Sequence, residues 1–224
     1  MTQTNLIQCV IFDCDGTLID SEKLCLQAIC DTMADLAIQV DFQWLKAKFQ
    51  GTKIHIVFDY ILDIHDKKQG QDIEALIIIY RQHCNRLFEA HLQPLPGVRE
   101  VIKILQDNDI AIGIASNAPM EKMDVTLEIT DLKKDFLGHI YSAFDANSWK
   151  PEPQLLHYVM ANMGYTSEQC LFIDDSLVGV EAGVKAGIKT LYFTHDALSD
   201  ENPHQVDTIE GIEQCLHFID GVQK

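Results

Sequence analysis

Apolar and polar positions follow two different rhythms along this chain, and the change of rhythm divides it. The first apolar run, Ile7 to Phe12, is nearly continuous, as expected of a strand buried on both faces of a parallel sheet. From Ser21 to about Leu92 the spacing turns helical. Cys25, Ile29, Met33 and Leu36 make one stripe, and Phe42, Leu45 and Phe49 a second behind an Asp41 N-cap. Ile54, Phe58, Ile61 and Ile64 make a third; Ile73, Ile77, Tyr80, Cys84 and Leu87 make a fourth. Four amphipathic helices in ~70 residues can bury their stripes on one another as a small bundle.

Gln93-Pro94-Leu95-Pro96-Gly97 breaks the helical pattern and reads as a linker. Beyond it, short apolar runs and amphipathic stretches alternate. Helices are predicted over 98–106, 120–129, 153–163, 178–186 and 209–219, and strands over 110–115, 139–142, 170–173 and 190–193. Such alternation predicts an α/β fold: a parallel, doubly wound, Rossmann-like sheet covered on both faces. The helical stretch then becomes a small four-helix cap inserted after the first strand. The expected division is a catalytic core of residues 1–18 and 93–224 and a cap of residues 19–92.

Composition narrows the function. The chain has 224 residues, 47% of them hydrophobic, enough for a packed core. Its net charge of −17 argues against nucleic acid and anionic membranes as partners. An anionic substrate would therefore need local cations in its site. Seven cysteines, with no Cys-x-x-Cys, fit a reducing compartment. The first residues lack the pattern of a signal peptide, and no apolar run has the length of a membrane span. A cytoplasmic monomer is expected. The nine histidines show no metal-ligand spacing, and His55, His65 and His195 read as solvated or capping residues.

The chemistry gathers at strand ends. The first strand leads into Asp13-Cys14-Asp15-Gly16-Thr17, placing two carboxylates where open α/β sheets bind ligands. The strand over 170–173 ends in a second acidic pair, Asp174-Asp175. Either pair could be a turn or helix N-cap, but two pairs at two ends of one sheet supply hard oxygen ligands suited to Mg²⁺. Ser116-Asn117 follows the strand over 110–115 and reads as a helix cap or an anion site. Lys150, held extended before Pro151, reads as a surface lysine or an aimed cation. Together, Asp13, Asp15, Ser116, Lys150, Asp174 and Asp175 offer what phosphoryl transfer needs: a nucleophile, an acid–base group, a divalent cation and donors for the phosphoryl oxygens.

The chain resembles the haloacid dehalogenase superfamily, through Phe12-Asp13-Cys14-Asp15-Gly16-Thr17-Leu18, Ala115-Ser116-Asn117, Lys150-Pro151 and Ile173-Asp174-Asp175-Ser176, in that order. The helical insert resembles the cap of the β-phosphoglucomutase-like branch. The resemblance implies that Asp13 is the nucleophile, forming an aspartyl-phosphate, and that Asp15 protonates the leaving oxygen and then activates water. It implies Mg²⁺ bound by Asp13, the Asp15 carbonyl and Asp175, with Asp174 acting mostly through water. Ser116, Asn117 and Lys150 would bind the phosphoryl group. Asp15 also speaks against dehalogenation, since the dehalogenases of the superfamily carry no acid there. Gly51 and Lys53, between two cap helices, would contact the substrate; a helix C-cap and a solvated lysine are the plain alternative. Ile54 stands where the mutases of the branch carry arginine, which speaks against a β-phosphoglucomutase. The implied activity is Mg²⁺-dependent hydrolysis of a small phosphorylated metabolite, a sugar phosphate or a phosphosugar acid such as 6-phosphogluconate. A phosphosugar mutase and a non-catalytic phospho-receiver are the alternatives.

Overall fold

The computed structural model describes residues 7–49, 52–194 and 202–222. The chain runs β1 (Cys9–Phe12), α1 (Glu22–Asp35), α2 (Phe42–Phe49), α3 (Ile54–Ile64), α4 (Ile73–His91), α5 (Val98–Asp107), β2 (Ala111–Ser116), α6 (Met120–Ile129), β3 (Ile140–Ser142), α7 (Ala143–Ala146), α8 (Gln154–Met163), β4 (Cys170–Asp174), α9 (Leu177–Lys185), β5 (Lys189–Phe193) and β6 (Asp207–Ile209). The fold is α/β, with all six strands in one parallel sheet ordered β3-β2-β1-β4-β5-β6 and the helical insert α1–α4 after its first strand.

Alternation along β1 explains its all-apolar sequence. Cys9 and Ile11 face a layer formed by Leu155, Leu156 and Val159 of α8 and Ala182 of α9. Val10 and Phe12 point to the opposite face and are equally buried. There the Phe12 ring meets Phe136 edge-on, with centroids 6.3 Å apart. No β1 side chain reaches water, so the strand carries no polar residue until it ends at Asp13.

Two compact units divide the chain: Met1–Asp20 with Gln93–Lys224, and Ser21–Leu92. The second unit has its own apolar cluster, including Leu26, Ile29 and Met33 of α1, Leu45 and Phe49 of α2, Val57, Phe58, Ile61 and Leu62 of α3, and Leu76 and Ile77 of α4. The Asp41 carboxylate accepts from the Trp44 N–H at 2.7 Å, as its N-cap position predicts. Ile64, placed on the buried stripe by periodicity, is exposed, as is Ile56. α3 is apolar at so many positions that spacing alone does not orient it.

The expected helix over 209–219 is the main correction. Residues 207–209 form β6 beside β5, with Tyr192 opposite Thr208 and Phe193 opposite Ile209. A 3₁₀ turn (Ile212–Phe218) then buries Ile212, Cys215 and Leu216. Without β6 the backbone of β5 would be an open edge, and pairing it satisfies those polar groups. The four-residue α7 was not predicted either. His195 lies outside the described residues.

Candidate active site

Strand register assembles the site. Phe12 lies level with Ile114 of β2 and Ile173 of β4, so Asp13 leaves β1 beside Asp174. The Asp13 N–H donates to the Ile173 carbonyl at 2.9 Å. Strand order reverses at β1: the chain builds outward through β2 and β3, then returns to place β4 on β1's other side. Crevices at such switch points, beyond the carboxyl ends of the strands, are where open sheets bind ligands.

The segment after β1 folds tightly back. Leu18 and Ile19 N–H groups donate to the Cys14 carbonyl, and Gly16 donates to Ile19. Gly16 has φ +85°, and a Cβ there would lie 2.1 Å from an Asp175 carboxylate oxygen. Asp175 accepts from the Thr17 hydroxyl at 3.1 Å. With Asp175 as a metal ligand, the role the resemblance implies, Gly16→Ala should displace it and raise the Mg²⁺ concentration for half-maximal phosphate release by about 10–100-fold. A metal titration checks this, and an unchanged midpoint would contradict it.

Lys150 is buried between the two strand ends. Its ammonium donates to Asp13 Oδ1 at 2.5 Å, Asp174 Oδ2 at 2.7 Å and the Ala115 carbonyl at 3.2 Å. Asn117 fixes the backbone of the same residue: its Oδ1 accepts from the Lys150 N–H at 2.9 Å, and its Nδ2 donates to the Lys150 carbonyl at 3.1 Å. Asp174 Oδ1 accepts from both the N–H and the hydroxyl of Ser176, at 2.9 and 2.6 Å. Asp15 accepts from Lys122 at 2.8 Å.

These contacts bear on the capping and surface-lysine alternatives. Ser176 caps α9, accepting from the Gly179 N–H at 3.0 Å, so the Asp174-Asp175 pair is not the cap. Gly179 also makes room for the acid: a Cβ there would sit 1.8 Å from Asp174. α6 begins at Pro119 without a side-chain cap, and the buried Ser116 hydroxyl instead accepts from the Ala118 N–H at 3.1 Å. Lys150 is 6% exposed and is no surface lysine. Asp13, Asp15, Ser116, Asn117, Lys150, Asp174 and Asp175 all belong to the sheet-bearing unit. Lys53 is exposed at the N-cap of α3 in the helical unit, and Gly51 lies outside the described residues.

Sequence reasoning passed over Lys122, whose role depends on a residue 107 positions away, and Thr17, whose partner is 158 away. A lysine in the first turn of a helix, against the helix dipole, was the one available signal for Lys122.

Charge is out of balance in this site. Oxygens of Asp13, Asp174 and Asp175 all lie within 4.8 Å of one another. The Asp13 carboxyl is pushed up to about 7, because burial and the neighbouring Asp174 raise it by more than Lys150 lowers it. Burial, then Asp174 and Asp13, hold Asp175 well above the usual carboxylate range. Burial opposes the Lys150 charge, but Asp13 and Asp174 outweigh it and hold the ammonium above an ordinary lysine. With all four acids ionised, their carboxylates would exceed the two ammonium groups that meet them among the described residues by two negative charges, which one divalent cation would offset. The donor set, all hard oxygen, fits Mg²⁺.

The sign of the pH effect follows. Asp13 binds its proton more tightly folded than unfolded, so folding loses stability as pH rises from the ordinary 3.8 towards about 7. Without metal, the wild type should lose Tm relative to Asp13→Asn between about pH 5 and about pH 8. Added Mg²⁺ should raise the wild-type Tm more at the higher pH. Thermal melts read both, and equal Mg²⁺ shifts at the two pH values would contradict the assignment.

A haloacid dehalogenase-like hydrolase family matches residues 7–187 of the chain. The 6-phosphogluconate phosphatase of Escherichia coli K12 is 30% identical over 190 residues, 85% of this chain and 84% of that protein. Hexitol phosphatase B of the same organism is 28% identical over 193 residues, 85% of each chain. The crystal structure of β-phosphoglucomutase from Clostridium difficile superposes with a TM-score of 0.72 at 19% identity, covering 93% of both chains, a likeness of fold. The chain thus belongs to the haloacid dehalogenase-like hydrolases, and it is a phosphatase of that family.

Proposed function

We propose that this phosphatase hydrolyses a small phosphorylated sugar or sugar acid, with 6-phosphogluconate the first candidate, through a phosphorylated Asp13. The observation that carries the mechanism is Lys150, buried between Asp13 and Asp174 at 2.5 and 2.7 Å. It favours the ionised form of Asp13 against the effect of burial and orients its Oδ1. Asp13 attacks phosphorus while the ester oxygen leaves with a proton from Asp15. Asp15, now a carboxylate, takes a proton from water, whose oxygen attacks the phosphoryl group. Inorganic phosphate leaves and Asp13 is restored. The Ser116 hydroxyl and the Lys150 ammonium donate to the phosphoryl oxygens. Asn117, besides the phosphoryl contact the resemblance implies, holds the Lys150 backbone on both sides. Asp13, Asp175 and the Asp15 carbonyl would hold Mg²⁺, with Asp174, engaged by Lys150 and Ser176, acting through water. When bound, the metal neutralises charge on the transferring group.

The substrate reading is supported by the relative at 30% identity, which is named for 6-phosphogluconate. The helical unit is read as the specificity cap, with Gly51 and Lys53 as its substrate contacts and Lys53 as the cation for a sugar acid. The test is phosphate release from sugar phosphates and phosphosugar acids, with Mg²⁺ and with EDTA. Metal-dependent release, highest on 6-phosphogluconate and with KM raised by Lys53→Ala, supports the reading. Metal-independent release, or conversion of glucose 1-phosphate to glucose 6-phosphate without free phosphate, would overturn it.

A further inference from the structure

Each acid of the Asp13-x-Asp15 pair has its own ammonium partner. Lys150 takes Asp13 in the interior, where their side chains are 4% and 9% exposed. Lys122 takes Asp15 at the rim, at 2.8 Å, with side chains 30% and 27% exposed. An ion pair so accessible to water adds little to stability. Lys122 also lies in the first turn of α6, where the helix dipole disfavours a cation. Neither local structure nor stability explains a lysine at this position; the carboxylate it reaches does.

The backbone presenting Lys122 is held firmly. The Ser116 hydroxyl accepts from the Ala118 N–H, and the Ser142 hydroxyl donates to the Ala118 carbonyl at 2.6 Å. The Lys122 N–H then donates to the Pro119 carbonyl at 3.1 Å, and its own carbonyl accepts from the Thr126 hydroxyl at 3.0 Å. The ends of β2 and β3 thus fix the turn from which the lysine reaches Asp15. The Asp15 side chain has only two rotatable bonds, so a donor held in place favours one of its few rotamers.

We infer that Lys122 is a positioning residue: it holds the Asp15 carboxyl group in place for proton transfer to and from the reacting oxygens. This rests on the acid–base role proposed for Asp15. The reaction itself is unchanged by it, and Lys122 contributes no atom to any bond made or broken.

The experiment compares the full-length Mg²⁺-loaded wild type with Lys122→Met, Lys122→Arg and Asp15→Asn. Each is assayed on the best sugar phosphate of the panel and on p-nitrophenyl phosphate. In a mechanism with a phosphorylated enzyme, kcat/KM reports the step in which the leaving group departs. A sugar alkoxide needs a proton there, whereas p-nitrophenolate does not. Lys122→Met should lower kcat/KM on the sugar phosphate by about 10–100-fold, and far less on the aryl ester. Lys122→Arg should restore most of the loss. Equal losses on both esters would make Lys122 a phosphate-binding or merely structural residue, and would overturn the inference. A gain on the sugar phosphate would also overturn it, since it would mean that Lys122 acts only by disfavouring the protonated acid. Asp15→Asn separates the two failures. If it shows the leaving-group pattern and Lys122→Met does not, only Lys122 is misassigned; if Asp15→Asn lacks the pattern, the Asp15 reading itself fails.

Discussion

Lys150→Met is expected to destabilise the protein by about 3–5 kcal/mol and to abolish phosphate release. Asp13 and Asp174 leave adjacent strands side by side, both buried, and the Lys150 ammonium touches both. Methionine fills much of the same volume and leaves two carboxylates facing each other in the interior. The register of the sheet prevents them from moving apart, so they can relieve the repulsion only by binding protons. The loss should therefore be largest at neutral to alkaline pH and shrink on acidification, since protonated acids no longer repel. Urea unfolding at about pH 8 and about pH 5, with phosphate release measured alongside, checks both parts. Wild-type stability at both pH values would mean that Lys150 does not hold these acids together.

Asp13→Asn should leave the fold nearly intact and lower phosphate release by about four orders of magnitude or more. The amide oxygen can still accept from Lys150, so the buried contact survives, but the oxygen proposed as the nucleophile is gone. Acid quenching during turnover should trap a phosphorylated wild-type enzyme and none of the variant. A variant retaining about a tenth of wild-type turnover would remove the covalent route and leave direct attack by water as the mechanism.

The sheet was legible because its central strands are buried on both faces, which forces continuous apolar runs at β1 and β4. The acids were legible because they end those runs abruptly. What lay hidden depends on distance through space rather than on spacing. The Asn117 clamp on Lys150 joins two loops 33 residues apart, and Lys122 meets Asp15 only because β1 and β2 are neighbours. The phosphate-binding expectation for Asn117 came from the resemblance; the hold of its carboxamide on the Lys150 backbone is a contact that no sequence spacing signals. β6 escaped because a three-residue edge strand has too few positions to show a period, and the apolar residues after it mimic a helix.

The central place of β1 in the sheet has a consequence for biosynthesis. β1 is made first, but its neighbours β2 and β4 begin at Ala111 and Cys170. At roughly 5–20 residues per second, the apolar segment Cys9–Phe12 waits on the order of ten to thirty seconds for its second partner. The helical unit, by contrast, is one contiguous stretch with its own apolar cluster, and its contacts become available within a few seconds of its synthesis. The helices are thus complete while the oldest strand is still unpaired. The nascent chain keeps an apolar strand unpaired while much of the rest is made, and the same late event that buries it, the arrival of β4, brings Asp174 beside Asp13.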